Sequence, residues 1–389
     1  KKCYGVNIMP LHLTDEQKMM RDTVRRLVRE EIAPRAAEYD RTHRFPRENI
    51  EKMSGLGLMG VPIPEEWGGA GCDFLTYIIT IEEISRACAS TGVILAVHTS
   101  VGTMPILIFG TGEQKKKYIP RLAAGEIIGA FALTESGAGS DPSNLSTSAR
   151  LEGDHYIVNG SKIFITNGGE AGVYVTFVRT EAGSRGKRGI TCLLVEAGTP
   201  GFAIGRREEK MGLNASQTTE LIFENARVPR ENVLGGEGDG LKVALALLDG
   251  GRIGIGAQGL GIAQGAFDVA LDYARQRVQF GRPIIEQQAV GFMLADMATG
   301  IDAARALVYR AARLKDLGLP HSRESSMAKL FATDTAMAVT GNAVQILGGY
   351  GYSREYPVER MMRDAKVTQI YEGTNQIQRL VIAKNLLRG

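Results

Sequence analysis

The sequence is short of the residues that build metal sites and disulfide frameworks. Its 389 residues include four cysteines (Cys3, Cys72, Cys88, Cys192), five histidines and one tryptophan. The cysteines lie far apart without a CxxC and the histidines are scattered, so no zinc-ligand spacing arises. Free thiols fit a reducing compartment, either bacterial cytoplasm or, in a eukaryote, the mitochondrial matrix. A charge excess is missing too, since 46 basic residues less 43 acidic ones leave +3. The densest basic clusters, Lys115–Lys117 and Arg185–Arg188, are short and lack interleaved aromatics, which excludes a nucleic-acid footprint. No stretch approaches 18 uninterrupted apolar residues, so no membrane span is expected. Lys1–Pro10 also lacks the charged-then-apolar order of a secretory signal.

What is present reads as an ordinary globular chain, 44% hydrophobic and 23% charged. A chain of this mass buries about three quarters of its surface on folding, enough for two or three domains. Residues 1–125 read as a helical domain. Thr14 to Gln17 is a capping-box pattern, followed by Met20, Val24, Leu27, Val28 and Ile32 at helical spacing, with Pro34 near the helix end. Pro46 opens a second helix and Asp73 caps a third. The period changes over 126–237. Asn159-Gly160 between two apolar runs is a hairpin signal, and β-branched runs follow at 173–178, 190–195 and 220–223. Short strands at this spacing predict an antiparallel β-barrel or sandwich. Over 238–389 four helical stretches (240–276, 284–316, 322–348, 375–388) predict a four-helix bundle. The fold class is therefore α+β: helical, β, helical.

One motif misleads. Gly254-Ile255-Gly256-Ala257-Gln258-Gly259 matches the dinucleotide fingerprint, but no strand precedes it and it lies within a helical stretch. Small residues allowing helices to approach closely are the better account.

Three segments carry chemistry. Phe131 to Asp141 runs from a strand end into a Gly/Ser loop, either a mobile turn or a cradle of backbone N–H groups for a pyrophosphate. Phe164-Ile165-Thr166 leads into Asn167-Gly168-Gly169, delivering an aromatic and a hydroxyl to a glycine turn; taken alone, it is an ordinary buried strand end. In Tyr371-Glu372-Gly373-Thr374, Glu372 is either a carboxylate placed to suit a helix dipole or a general base. In the second reading apolar neighbours raise its pKa, and the missing side chain of Gly373 admits substrate.

Together with PEEWGGAG, QRVQFGRPI, NAVQILGGYGY and EYPVERMMRDAK, these segments make the sequence resemble the acyl-CoA dehydrogenase family over essentially its whole length. LDGGRIGIGAQGLGIAQ and NASQTTELIF look most like the short-chain, butyryl-CoA type. The resemblance implies FAD, an acyl-CoA substrate dehydrogenated at its α,β bond, electron-transferring flavoprotein as acceptor, and a homotetramer. It implies Glu372 as base. It also implies flavin contacts at Phe131, Leu133, Thr134, Gly139, Ser140, Phe164, Ile165 and Thr166. Further flavin contacts are implied at Arg277, Gln279, Phe280, Gln287, Gln288, Gln345, Gly349, Thr374 and Gln376, some of them from a neighbouring subunit. Ser140, Asp249, Arg252 and Gly373 match positions at the substrate. Branched- and long-chain members carry their base where this chain has Gly251. Medium- or branched-chain specificity is the alternative within the family, and a non-catalytic flavin-binding member the alternative outside catalysis.

Overall fold

A computed structural model describes residues 12–184 and 186–387. Cys3, the segment 1–10, Arg185 and residue 388 of the last expected helix lie outside them. The first helical unit comprises α1 (Asp15–Leu27), α2 (Ala33–Thr42), α3 (Arg47–Gly55), α4 (Phe74–Ser85), α5 (Ala89–Val97), α6 (Met104–Phe109) and α7 (Gly112–Ala123). Thr14 caps α1 in a complete capping box, and the Asp73 side chain accepts the Thr76 N–H at the start of α4. Pro34 does not end a helix. A π-type segment, Val28–Ile32, joins α1 to α2, so Pro34 lies within a continuous helical run, just past the wide turn in which the Ala33 N–H bonds the Val28 carbonyl.

Ala89–Phe109 is a helical run long and apolar enough to cross a membrane, with mean hydropathy 1.8, yet it is 78% buried within the fold over its most apolar window. It escaped the count of uninterrupted apolar residues because His98, Thr99 and Ser100 divide it. Burial among α4, the sheet and the bundle makes it a core helix.

The strands are β1 (Ile128–Ala132), β2 (Ser148–Glu152), β3 (His155–Thr166), β4 (Ala171–Arg179), β5 (Ile190–Glu196), β6 (Phe202–Arg207), β7 (Thr218–Pro229) and β8 (Val233–Leu234). They form one sheet in the order β6-β7-β3-β2-β4-β5-β8. Its pairings are antiparallel except that β1 runs parallel to β4 and a single parallel bridge joins β2 to β4. Tyr156, Val158, Tyr174, Leu193, Leu221 and Phe223 fill a separate β core. The expected Asn159-Gly160 hairpin is absent, because β3 runs straight through it, paired with β7 on both sides. Gly160, at φ +137, instead lies opposite a bulge in β7, where Glu224 and Asn225 face the single Asn159, and a Cβ on it would stand 2.8 Å from the Thr147 Cα. The real hairpin lies one strand earlier, where Gly153-Asp154 joins Glu152 to His155.

The C-terminal bundle consists of α8 (Gly240–Gln276), α9 (Gln288–Asp316), α10 (Ser322–Leu347) and α13 (Asn375–Leu386). Between them lie the short hairpin β9 (Val278–Gln279) and β10 (Arg282–Pro283), the single turn α11 (Gly349–Tyr352), and α12 (Val358–Thr368), a helix the periodicity did not reveal. The Gly254–Gly259 run is mid-helix in α8 and lets neighbours approach. A Cβ on Gly256 would sit 3.1 Å from Val308 of α9, and one on Gly261 would sit 2.2 Å from the Glu82 carbonyl of α4. These contacts press α8 against both helical units, and the site grows from its N-terminal half.

Candidate active site

Glu372 lies in the connection between α12 and α13. Val367 and Gln369 accept backbone bonds that close this turn, and Thr374 caps α13 by accepting the Ile377 N–H. Glu372 has φ +53 and Gly373 φ +87, so two left-handed residues follow one another. A left-handed glutamate is uncommon and must be held by its surroundings. The turn swings the carboxylate towards α8, where an added Cβ on Gly251 would stand 2.7 Å from Oε2. Oε2 is buried and accepts no hydrogen bond. Burial pushes the Glu372 carboxyl up to about 7, although the charges of Arg252 and Lys329 pull the other way. Glu372 as a residue is half-buried, but one oxygen is sealed off without a partner, and such a carboxylate near neutrality is suited to take a proton.

The neighbours come from α8, α10 and the turn itself. Arg252 on α8 is buried, paired with Asp249 at 2.6 Å, and keeps its Nε without a partner. Asp249 also accepts from Ser322 at 3.1 Å and borders a cleft of about 550 Å³ between the α9–α10 turn and Asn385. Tyr371 places its hydroxyl on Gln258, whose amide holds the Ala89 carbonyl at 3.0 Å. Lys329 on α10 donates to the Gly373 carbonyl at 2.9 Å and to Asn375 at 2.8 Å. Thus Arg252 and Gly373 lie beside Glu372, and Asp249 is joined to them through Arg252. Ser140 sits instead on the β unit.

A second locus lies on that unit. The Ile163 N–H donates to the Thr134 carbonyl at 2.9 Å, bringing the 131–141 loop beside the end of β3. Gly139 and Ser140 are exposed, and the N–H groups of Ser136, Gly137, Gly139 and Ser140 have no acceptor among the described residues. Free N–H donors in a Gly/Ser loop are the donor set a pyrophosphate needs. The turn at β3 is not the ordinary buried strand end its sequence suggests, since Phe164 is left-handed at φ +57 and 59% exposed. Ile165 points into the β core and Thr166 is half-buried.

Behind the loop stands an ion pair the sequence reading missed. Lys162 is wholly buried and meets Glu135 at 2.7 Å and the Leu133 carbonyl at 3.3 Å. Glu135 also accepts from the backbone of Ser146 at 2.6 Å and Thr147 at 3.0 Å. Burial opposes its ionisation, but Lys162 and these donors outweigh that and hold it at about 2. The available signal was a lysine and a glutamate standing at otherwise inward-facing positions.

The remaining expected flavin residues fall elsewhere. Arg277, Gln279 and Gly349 line a cleft of about 620 Å³ with Tyr273 and Tyr350, and Gln345 is exposed one residue from its Ile346 wall. Phe280 caps the β9–β10 turn, 94% exposed, with Gln287 and Gln288 starting α9. Thr374 and Gln376 border a different cleft of about 360 Å³ beside Asp334 and Arg379. One chain therefore spreads these residues over separate surfaces.

The chain matches the family models for the acyl-CoA dehydrogenase N-terminal domain over residues 14–126, the middle domain over 130–226 and the C-terminal domain over 238–387. An acyl-CoA dehydrogenase of Bacillus subtilis is 59% identical, covering 97% of this chain and 100% of that one. A short-chain specific acyl-CoA dehydrogenase of Clostridium acetobutylicum is 53% identical over 98% and 100%. Among solved structures, butyryl-CoA dehydrogenase from Megasphaera elsdenii superposes with a TM-score of 0.96 at 47% identity, covering 98% and 100%. A chain from work on the electron transferring flavoprotein of Acidaminococcus fermentans and flavin-based electron bifurcation has a TM-score of 0.96 at 52% identity over 98% and 100%. An acyl-CoA dehydrogenase complexed with FAD from Bacillus anthracis gives 0.93 at 36% identity, covering 98% of this chain and 68% of that one.

Proposed function

This chain belongs to the acyl-CoA dehydrogenase family, and on that footing we propose that it converts short-chain fatty acyl-CoA to trans-2-enoyl-CoA with Glu372 as the base. It is an FAD-dependent oxidoreductase of fatty acid metabolism. The single observation that carries the assignment of the base is the buried, unpartnered Oε2 of Glu372 against Gly251.

The free N–H groups of the 136–140 loop would hold the pyrophosphate of FAD, Phe164 and Thr166 would contact its flavin portion, and Arg277, Gln279 and Gly349 of a neighbouring subunit would serve its adenosine portion. When bound, FAD supplies the acceptor for the β-hydrogen, which leaves as hydride. Glu372 takes the α-proton, a proton too weakly acidic for a carboxylate unless the thioester carbonyl is polarised. The Glu372 N–H has no acceptor among the described residues, and the left-handed turn leaves it free to bond that carbonyl. Excluding water strengthens this bond and sustains the raised pKa. Arg252 and Asp249 line the approach of the CoA portion.

Short-chain preference draws support from the Clostridium and Megasphaera relatives. Electron-transferring flavoprotein as acceptor draws support from the Acidaminococcus chain. Exposed Phe292 and Leu380 on the bundle suit burial in a homotetramer, which would also let a neighbour complete the flavin site. An anaerobic series of saturated acyl-CoAs, read as flavin bleaching, tests the proposal. Each buried methylene is worth about 0.8 kcal/mol, so an open pocket would favour octanoyl-CoA. A higher kcat/KM for butyryl-CoA is expected, and the reverse order would move the enzyme to the medium-chain class.

A further inference from the structure

Lys329 is the one lysine inside the apolar run Ala328 to Ala332 of α10, and its side chain is fully buried. It touches no carboxylate. Its ammonium meets two neutral oxygens, the Gly373 carbonyl and Asn375 Oδ1. Gln378 adds a second donor to the same carbonyl at 2.8 Å and reaches the Glu372 carbonyl at 3.2 Å. Further along α10, Asp334 accepts from Gln369 at 2.6 Å and from Asn375 at 2.7 Å. The 369–375 turn is thus tied to α10 at both ends, with Lys329 on the carbonyl that closes the second left-handed residue and Gln378 on the carbonyl between the two.

We propose that Lys329 is a positioning residue for Glu372, fixing the left-handed turn through the Gly373 carbonyl and placing a buried positive charge within reach of the carboxylate. This rests on the reading of Glu372 as the base. A neutral side chain could satisfy the carbonyl and the amide, and burying an ammonium without a contacting anion is costly. The charge therefore needs a second use. Burial lowers the Lys329 ammonium to about 7, and Glu372 and Asp334 favour its charged form while Arg252 opposes it. The groups facing Glu372 are Arg252 from α8, Lys329 from α10, Tyr371 beside it and Tyr77 from α4. The two tyrosines are neutral at working pH, since burial pushes both hydroxyls up. Among the described residues, Arg252 and Lys329 are the charges that hold the carboxylate down. Removing Lys329 must therefore raise the pH at which Glu372 becomes a base.

The test uses Lys329→Gln, Lys329→Met and Lys329→Arg in the FAD-loaded enzyme, with Glu372→Gln alongside. The second-order rate of anaerobic flavin reduction by butyryl-CoA is followed against pH, with FAD content and melting temperature recorded. Lys329→Gln and Lys329→Met should move the acid limb up by about one pH unit and slow reduction at pH 7 by about fivefold. Lys329→Arg, which keeps the charge, should restore the limb. Should Lys329→Met fail to fold, Gln and Arg still divide hydrogen bonding from charge. Equal acid limbs in Gln, Arg and wild type overturn the proposal. If Glu372→Gln still reduces its flavin, the base assignment fails, and this proposal with it. A dead Glu372→Gln beside unmoved limbs removes Lys329 alone.

Discussion

The carboxylate of Glu372 rests against the Cα of Gly251. A Cβ at residue 251 would lie 2.7 Å from Oε2, 3.0 Å from Cδ and 3.1 Å from Oε1, so the whole carboxylate occupies the space a side chain there would need. Two elements about 120 residues apart in sequence converge on one point. This bears on the resemblance to family members that carry their base at the position of Gly251, because either residue could project a carboxylate into the same volume.

Gly251→Ala should leave α8 as stable or more so, since alanine gains up to about 1 kcal/mol over glycine within a helix. It should nonetheless slow flavin reduction by about tenfold or more, because the methyl displaces the carboxylate. Paired Glu372→Gly and Gly251→Glu should recover part of the lost activity. Stopped-flow reduction and thermal melts check both, and a wild-type rate in Gly251→Ala would show that the carboxylate works from elsewhere.

Glu372→Gln keeps the shape of the side chain but cannot accept the proton. General-base catalysis contributes about 10²–10⁴-fold, so reduction by butyryl-CoA should fall at least that far with FAD still bound. Loss of a helix-terminus charge alone would cost about 0.3–1 kcal/mol of stability and leave turnover nearly intact.

The raised Glu372 pKa also sets a pH dependence. Because the base must be ionised, flavin reduction should rise with pH through about 7. For stability the sign is the reverse of an ordinary salt-bridged carboxylate. The folded group holds its proton up to about 7 and the unfolded one only to about 4.5, so folding loses stability as pH rises between them. Glu372→Gln should therefore melt higher than wild type near pH 8, with the gap closing towards pH 5. A gap independent of pH would mean the carboxyl is not desolvated.

Lys162 and Glu135 hold the 133–137 loop from behind. Breaking a buried pair by removing one partner costs about 3–5 kcal/mol, so Lys162→Met should melt lower and retain less FAD after dialysis. Full FAD retention in the destabilised variant would show that the loop does not depend on the pair.

Local chemistry made much of this legible in advance. Thr14, Asp73 and Thr374 cap helices because a hydroxyl or carboxylate beside free N–H groups needs no distant partner. The Gly/Ser loop and the Tyr-Glu-Gly-Thr turn were visible for the same reason. The Asn159-Gly160 signal misled because a glycine is wanted there for the close approach of Thr147, not for a turn. Pairing along β7 chose between them. The helix Val358–Thr368 escaped notice, though it delivers Glu372 to its place.

The sequence by itself determined where helices begin, where the period changes, and that a glutamate stands between a tyrosine and a glycine before a capped helix. Only the tertiary structure decided what surrounds that glutamate. Its pKa depends on which groups exclude water and which charges come near. Those groups are Gly251 and Arg252 of α8 and Lys329 of α10, far from residue 372 in the chain. Desolvation and Coulomb energy follow distance in space, which no local pattern encodes.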